Sequence, residues 1–508
     1  MWEGIATGLS TAFTPMNLVM VFVGCFAGTF IGMLPGLGPI SAIALMIPIT
    51  YGFDPASGMI LMAGVYYGAI FGGSTSSILI NAPGVAGTVA TAFDGYPMAQ
   101  QGHAGKALAI AAGASFSGGT VGAVLLLLAA PALAQVALSF QSSDYLALMV
   151  LGLTAVSAFT APGQVLKALI ATVLGLMISA VGTDPSAGVQ RFTFGSLDLV
   201  DGISFLLLAM ATFALSEALM GVLKRDQTSE AAARATRGEL GSMRVSRDEV
   251  REIAPVIGRS SILGFFIGVL PGAGATIASF LAYGAERTFA PAKAKGDFGK
   301  GSIRGLAAPE TANNAACTGS FVPLLTLGIP GSGTTAVMLG ALISYGVQPG
   351  PRLFQENPDV FWSVIISMYL GNIILLILNL PLIPYIARLL SLPRQVLIPL
   401  ILFFSLIGVY LVSFNTFDIY MMAGFALAAI VLRLLEFPMA PLILGFILGD
   451  MIEDNLRRAL TISDGSISFL WERPLTATIF VITILTLLAP LVRILRQRRA
   501  AMLAGEGG

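Results

Sequence analysis

The sequence predicts an all-α polytopic membrane protein made of two homologous halves, inverted repeats whose helices are broken or re-entrant at Pro-Gly. Three observations carry this. Of 508 residues, 56% are hydrophobic and only 11% charged, with mean hydropathy +0.86; a soluble domain carries about 25% charged residues. Many windows exceed the roughly 18–20 apolar residues that cross a bilayer, whereas a β-barrel would show short alternating segments. Finally, Gly28-Thr-Phe-Ile-Gly-Met-Leu-Pro-Gly-Leu-Gly38 recurs as Gly264-Phe-Phe-Ile-Gly-Val-Leu-Pro-Gly-Ala-Gly274. A second interruption follows each copy, at Asn81-Ala-Pro-Gly84 and at Gly328-Ile-Pro-Gly331. Paired helix breaks in corresponding halves point to a transporter's binding site near the bilayer midplane.

In chain order, apolar stretches predict helices over 15–34, 56–80, 107–130, 144–160, 163–181 and 203–223 in a first half spanning 1–223. A polar linker, 224–259, holds eight Lys/Arg against six Asp/Glu. The second half, 260–492, gives helices over 260–283, 315–329, 334–345, 360–380, 395–412, 417–435, 438–449 and 474–492. A basic tail, 493–508, follows. By the positive-inside rule the linker and the tail are cytoplasmic, as is the loop from Glu286 to Arg304. Five full spans lie between Pro35 and Pro271, an odd number, which agrees with inversion. Residues 450–473 carry Arg457, Arg458 and Arg473 before a last span that ends inside; a surface-lying amphipathic helix would accommodate them.

Other features argue by exclusion. Zero net charge speaks against a nucleic-acid partner. Cys25 and Cys317 lie in apolar context and read as packed thiols. The N-terminus lacks the basic region and cleavage pattern of a removable signal peptide. His103 is the only histidine, so a metal pair is excluded and a Ser–His dyad would need it to reach Ser74 or Ser320. The spacing of Gly296-Asp-Phe-Gly-Lys-Gly-Ser302 is not that of a phosphate loop. No catalytic residue, metal site or cofactor is expected, and the chain does not read as an enzyme. Asp54, Asp94 and Asp144 read as helix caps. Glycines at four-residue spacing (Gly24, Gly28, Gly32, Gly36; Gly64, Gly68, Gly72; Gly264, Gly268, Gly272) let backbones approach closely, either for packing or as a sliding surface.

Polar groups gather at the breaks. Ser74, Thr75, Ser76, Asn81, Pro83 and Gly84 in the first half face Asn313, Asn314, Thr318, Gly319, Ser320, Pro330, Gly331 and Ser332 in the second as candidate substrate contacts. A lone Ser or Thr in a membrane helix usually back-bonds to a carbonyl; two homologous clusters beside Pro-Gly breaks read as a site. Helix amino ends offer N–H groups to an anion, and freed carbonyls suit a cation. Gly36, Gly38, Gly272, Gly274 and Glu310 are candidates for the coupling ion. A carboxylate at membrane depth costs about 2.5–3.5 kcal/mol, so Glu310 is either interfacial or functional.

These motifs resemble, over nearly the whole length, the large membrane subunit of tripartite tricarboxylate transporters (the TctA family). The likeness rests on Leu34-Pro-Gly-Leu-Gly38, Phe71 to Asn81 with Pro83-Gly84, Asp94-Gly-Tyr-Pro-Met-Ala99, Ala308-Pro-Glu-Thr-Ala-Asn-Asn314, Pro323 to Gly331, Asp450 to Ala459 and Ser463-Asp-Gly465. The resemblance implies a permease of the bacterial inner membrane. It would import a tricarboxylate or dicarboxylate by symport with Na⁺ or H⁺, working with a small membrane subunit (TctB-like) and a periplasmic solute-binding protein (TctC-like). A passive channel and an intramembrane hydrolase are the rival readings.

Overall fold

The computed structural model describes residues 2–34, 37–158, 164–184, 187–223, 240–272, 274–292, 294–386 and 394–488. Its principal helices are α1 (Trp2–Ala12), α2 (Pro15–Met33), α3 (Pro39–Thr50), α4 (Pro55–Ile80), α5 (Val89–Gln100), α6 (Ala104–Ala137), α7 (Ser142–Ala158) and α8 (Val165–Ser179). After a two-residue ribbon come α9 (Phe205–Val222), α10 (Arg247–Val269), α11 (Gly274–Phe289), α12 (Ile303–Gly319), α13 (Phe321–Leu327) and α14 (Gly333–Ser344). The remainder are α15 (Pro358–Asn379), α16 (Arg394–Ser413), α17 (Thr416–Leu434), α18 (Met439–Ile462) and α19 (Pro474–Leu488). Among the described residues, seven helices are long and apolar enough to cross a membrane. The chain is an all-α polytopic membrane protein.

Local chemistry sets the boundaries. Thr14 and Asp54 cap α2 and α4 by accepting the amides of Asn17 and Ser57, with Pro15 and Pro55 at the first helical positions. Ser246 and Glu249 form a capping box, so α10 starts at Arg247, thirteen residues before its apolar run at 260. The expected helix over 260–283 is two helices, because Pro271 and Gly272 end α10 and Gly274 opens α11. α3 and α5, each with an internal proline, were hidden by their shortness.

The structure divides into two compact units. The larger comprises residues 1–137 and 204–431. Its axis is α4, whose side chains from Ala56 to Leu79 are all buried. The two halves repeat each other within it. Leu34 and Leu270 end α2 and α10 in the same extended conformation, and their amides donate to Ile31 and Ile267. In the register of Pro83-Gly84 on Pro330-Gly331, Asn81 falls on Gly328, and both are left-handed at φ 52° and 68°. Gly28 and Gly32 lie against the backbone of Val65 and Ala69, as Gly264 and Gly268 lie against Ala312 and Ala316. The glycine rows are thus helix-packing seams. Exposed apolar side chains such as Phe22, Phe26, Leu427 and Val431 line outer faces.

The smaller unit comprises residues 138–203 and 432–508, of which α7, α8, α18, α19 and the ribbon Gly182–Thr183/Gln190–Arg191 are described. α8 and α18 cross backbone to backbone, Gly175 on Leu442 and Gly445 on Thr172. Arg457 donates to Asp184 at 2.8 Å and pairs with Glu453, which also receives Arg191. Arg473 pairs with Asp144 at 3.1 Å. Two of the three arginines that seemed misplaced in 450–473 are therefore neutralised by acids, and 450–462 continues a helix instead of starting a separate one.

Candidate functional site

Glu310 stands at the centre of α12 with none of its surface exposed. Three hydroxyls from three other helices or helix segments donate to its carboxylate: Ser74 of α4 at 2.7 Å, Ser115 of α6 at 2.8 Å, and Thr91 of α5. The amide of Asn313 approaches it as well. No Lys, Arg or His contacts it among the described residues. A buried carboxylate held by neutral donors alone leaves its charge uncompensated, which is costly unless a cation or proton joins it.

Next to it, Asn314 donates through its amide to the Glu310 carbonyl and to the Asn313 side-chain oxygen. Its own oxygen is buried with no donor among the described residues. A buried acceptor without a donor is rare in native proteins. Carboxylate and amide oxygens are the ligand types that suit a hard cation.

Residues at and beside the interruptions also contact one another. Gly84 abuts the Gly32 backbone in the last turn of α2 and donates to the Ser76 hydroxyl, so the second break of the first half packs on the end of the helix that precedes the first. The Gly272 amide donates to the Gly331 carbonyl at 3.0 Å, joining those of the second half. Besides the three bonds to Glu310, two contacts at the breaks cross between halves: Asn313 donates to the Gly87 carbonyl at 3.3 Å, and Tyr66 meets Ser332 hydroxyl to hydroxyl at 3.3 Å. Tyr66 and Asn313 occupy the same position in the two repeats, each reaching toward the other half's break.

The remaining candidates sort by surroundings. Thr75 is buried in α4. Thr318 and Ser320 back-bond to Asn314 and Cys317, and Gly319 lies against the Phe265 carbonyl. Pro330 is buried, and Ser332 caps α14 in a reciprocal pair with Thr335. Asn81 and Pro83 lie at the outer side of their break, Asn81 exposed as the left-handed cap of α4. Gly38 precedes α3, while Gly272 and Gly274 take positive φ at the turn into α11. Gly36 lies outside the described residues. His103 is exposed and both cysteines are buried and unbridged. Sequence reasoning missed Thr91, Ser115 and Tyr66. Thr91 follows the first half's break by less than two turns, a signal that could have found it; Ser115 gave none.

A family model described as "Tripartite tricarboxylate transporter TctA family" matches residues 18–444. An uncharacterized 52.8 kDa protein in the TAR-I ttuC′ 3′ region of Agrobacterium vitis is 42% identical over 509 residues, covering 99% of each chain. An uncharacterized protein in the TAR-II ttuC′ 3′ region of the same organism is 41% identical over 236 residues, 46% of this chain and 97% of its own. No solved structure matches.

Proposed function

This chain belongs to the tripartite tricarboxylate transporter TctA family, and on that premise we propose that it is the large permease subunit of a secondary active carboxylate importer. Its substrate is a tricarboxylate or dicarboxylate, carried with Na⁺ or H⁺. A periplasmic solute-binding protein delivers the substrate and a small membrane subunit completes the complex. The chain sits in the bacterial inner membrane with linker and carboxyl terminus cytoplasmic, the side that their basic residues favour.

The observation that carries the reading is the buried Glu310 carboxylate, ringed by Ser74, Thr91 and Ser115 and flanked by the donorless oxygen of Asn314. Such a centre takes up a cation before it tolerates an anion nearby. The substrate then occupies the space between the breaks, its carboxylates facing the amide and hydroxyl groups of Asn313, Ser332 and the opening turn of α14. Energetics favour coupling. Moving one negative charge inward against 100 mV costs about 2.3 kcal/mol, hence about 7 kcal/mol for a trianion. Accompanying cations offset this cost.

The test is uptake of labelled carboxylates into vesicles holding this chain and its small subunit, with the binding protein supplied and Na⁺ and pH gradients imposed separately. Saturable accumulation driven by one of the gradients is expected, and Glu310→Gln should abolish accumulation. Unsaturable downhill flux indifferent to both gradients would mean a passive channel and end the proposal.

A further inference from the structure

Asp94 lies in the middle of α5 and is fully buried, yet its carboxylate binds the loop ahead of a different helix. Its Oδ1 accepts three backbone amides from the loop that leads into α12: Gly299 at 2.8 Å, Gly301 at 3.0 Å and Ser302 at 2.8 Å. Gly299 and Gly301 take φ of 80° and 108°, conformations that side chains disfavour, and this curl aims the three N–H groups at one point. Successive amides converging beside a helix amino end form an anion nest. Here the anion belongs to the chain. Gly305, in the first turn of α12, lies against the other carboxylate oxygen and leaves no room for a side chain there. Gln101, directly after α5, adds a bond of 2.8 Å to the Lys300 carbonyl.

The same helix touches the site. Thr91, one turn before Asp94 and on the same face, donates to Glu310. Gly87, just before α5, receives Asn313. α5 thus grips α12 at its amino end through Asp94 and at its centre through Thr91.

We propose that Asp94 is a positioning residue of the transport site: by filling the nest of Gly299–Ser302 it sets α5 against α12, and so places Thr91 on Glu310 and Gly87 on Asn313. This rests on reading Glu310 as the cation centre. Asp94 touches neither substrate nor ion, and acts through the helix it fastens.

The experiment pairs two readouts on the intact permease with its small subunit. Amide exchange of the 299–305 segment reports the nest, and the coupling-cation KM of uptake, with Na⁺ and H⁺ varied separately, reports the site. Asp94→Ala should speed exchange of 299–305 and raise the cation KM about tenfold, the effect expected when charge-assisted hydrogen bonds are lost. Formate, a carboxylate small enough for the nest, should reverse both in Asp94→Ala and do nothing to the native protein. Native exchange or native cation KM in Asp94→Ala overturns the proposal, as does failure of formate to restore either. If Asp94→Ala does not fold, Asp94→Asn decides: it keeps an acceptor without the charge, and a cation KM unchanged from native overturns the proposal. Glu310→Gln measured beside them separates the layers. If it leaves cation dependence intact while Asp94→Ala still loosens 299–305, the cation reading of Glu310 has failed and the clasp between α5 and α12 stands as purely structural.

Discussion

Ser74 and Glu310, 236 residues apart in sequence, share a hydrogen bond of 2.7 Å in the interior of the larger unit. The Ser74 hydroxyl has only one proton, and the Ile70 carbonyl lies 3.1 Å away as a second acceptor. Ser115 donates to Glu310 at 2.8 Å. The two serines are therefore not equivalent. Ser115→Ala should lower the stability of the purified protein by about 1.5–3 kcal/mol, the range for a hydrogen bond to a charged group. Ser74→Ala should cost less, since Ser74 already divides its proton. Thermal unfolding of the two variants in one detergent checks the ranking; equal losses would show that Ser74 donates to Glu310 alone.

The seams between helices make a sharper prediction. A Cβ on Gly28 or Gly264 would run into the backbone of Val65 or Ala312, which cannot yield as a side-chain end can. Gly28→Ala and Gly264→Ala should each destabilise by about 1–3 kcal/mol or more. Gly38 differs: nothing lies within 4 Å of a Cβ there, and its φ of −74° suits any residue. Gly38→Ala should fold as the native chain does. Uptake by that variant then tests Gly38 as a coupling-ion contact without a folding confound: a native cation KM would remove it from the site.

What the sequence made legible follows from the range of the forces involved. Pro and Gly act within a turn, so the breaks at 34–38, 81–85, 270–274 and 328–332 could be read directly, and their duplication exposed the repeat. The Glu310 centre was legible in Glu310 and in Ser74. Its other hydroxyl partners, Thr91 and Ser115, lie 219 and 195 positions away, and a hydroxyl on an apolar helix carries no local mark that separates a ligand from a back-bonded side chain. Asp94 reads as a helix-start cap, yet it sits in the middle of α5 and gathers the amides of Gly299, Gly301 and Ser302, a role that depends on the fold bringing that loop to it, while Ser302 itself caps α12.

In the smaller unit, two acids three positions apart should respond oppositely to pH. They line a cavity of about 350 Å³ with Asp184, Arg191, Asp201 and Asp454. Burial, with Glu453 and Asp454 close by, pushes the Asp450 carboxyl above the usual carboxylate range. Burial also works upward on Glu453, but hydrogen bonds from Arg457 and Arg191 outweigh it and hold that carboxyl below its usual range. A raised acid contributes stability that is present below its unfolded pKa, about 3.9, and lost as pH rises through the folded value. A lowered acid contributes stability present above about 4.3 and lost as pH falls through the folded value. At pH 7, Asp450→Asn should therefore raise the melting temperature and Glu453→Gln should lower it. Both differences should fade in acid. Melting curves of both variants between pH 3 and 7 check this, and shifts of the same sign at pH 7 would contradict it.

Asn81 combines a possible ligand with a required backbone shape, and one pair of substitutions separates them. Its φ of 52° and ψ of 32° cap α4 in the left-handed region, where Gly328 stands at the corresponding place in the other half. Alanine there pays about 1 kcal/mol of backbone strain, whereas glycine adopts the conformation freely. Loss of uptake in Asn81→Ala alone would not distinguish strain from a missing amide. Asn81→Gly keeps the turn and removes the amide. The exposed position of Asn81 and its match to a glycine in the repeat make the cap its main role, so Asn81→Gly should keep the native substrate KM and Asn81→Ala should show lower stability. A substrate KM raised tenfold in Asn81→Gly, with melting unchanged, would restore the side chain as a substrate contact.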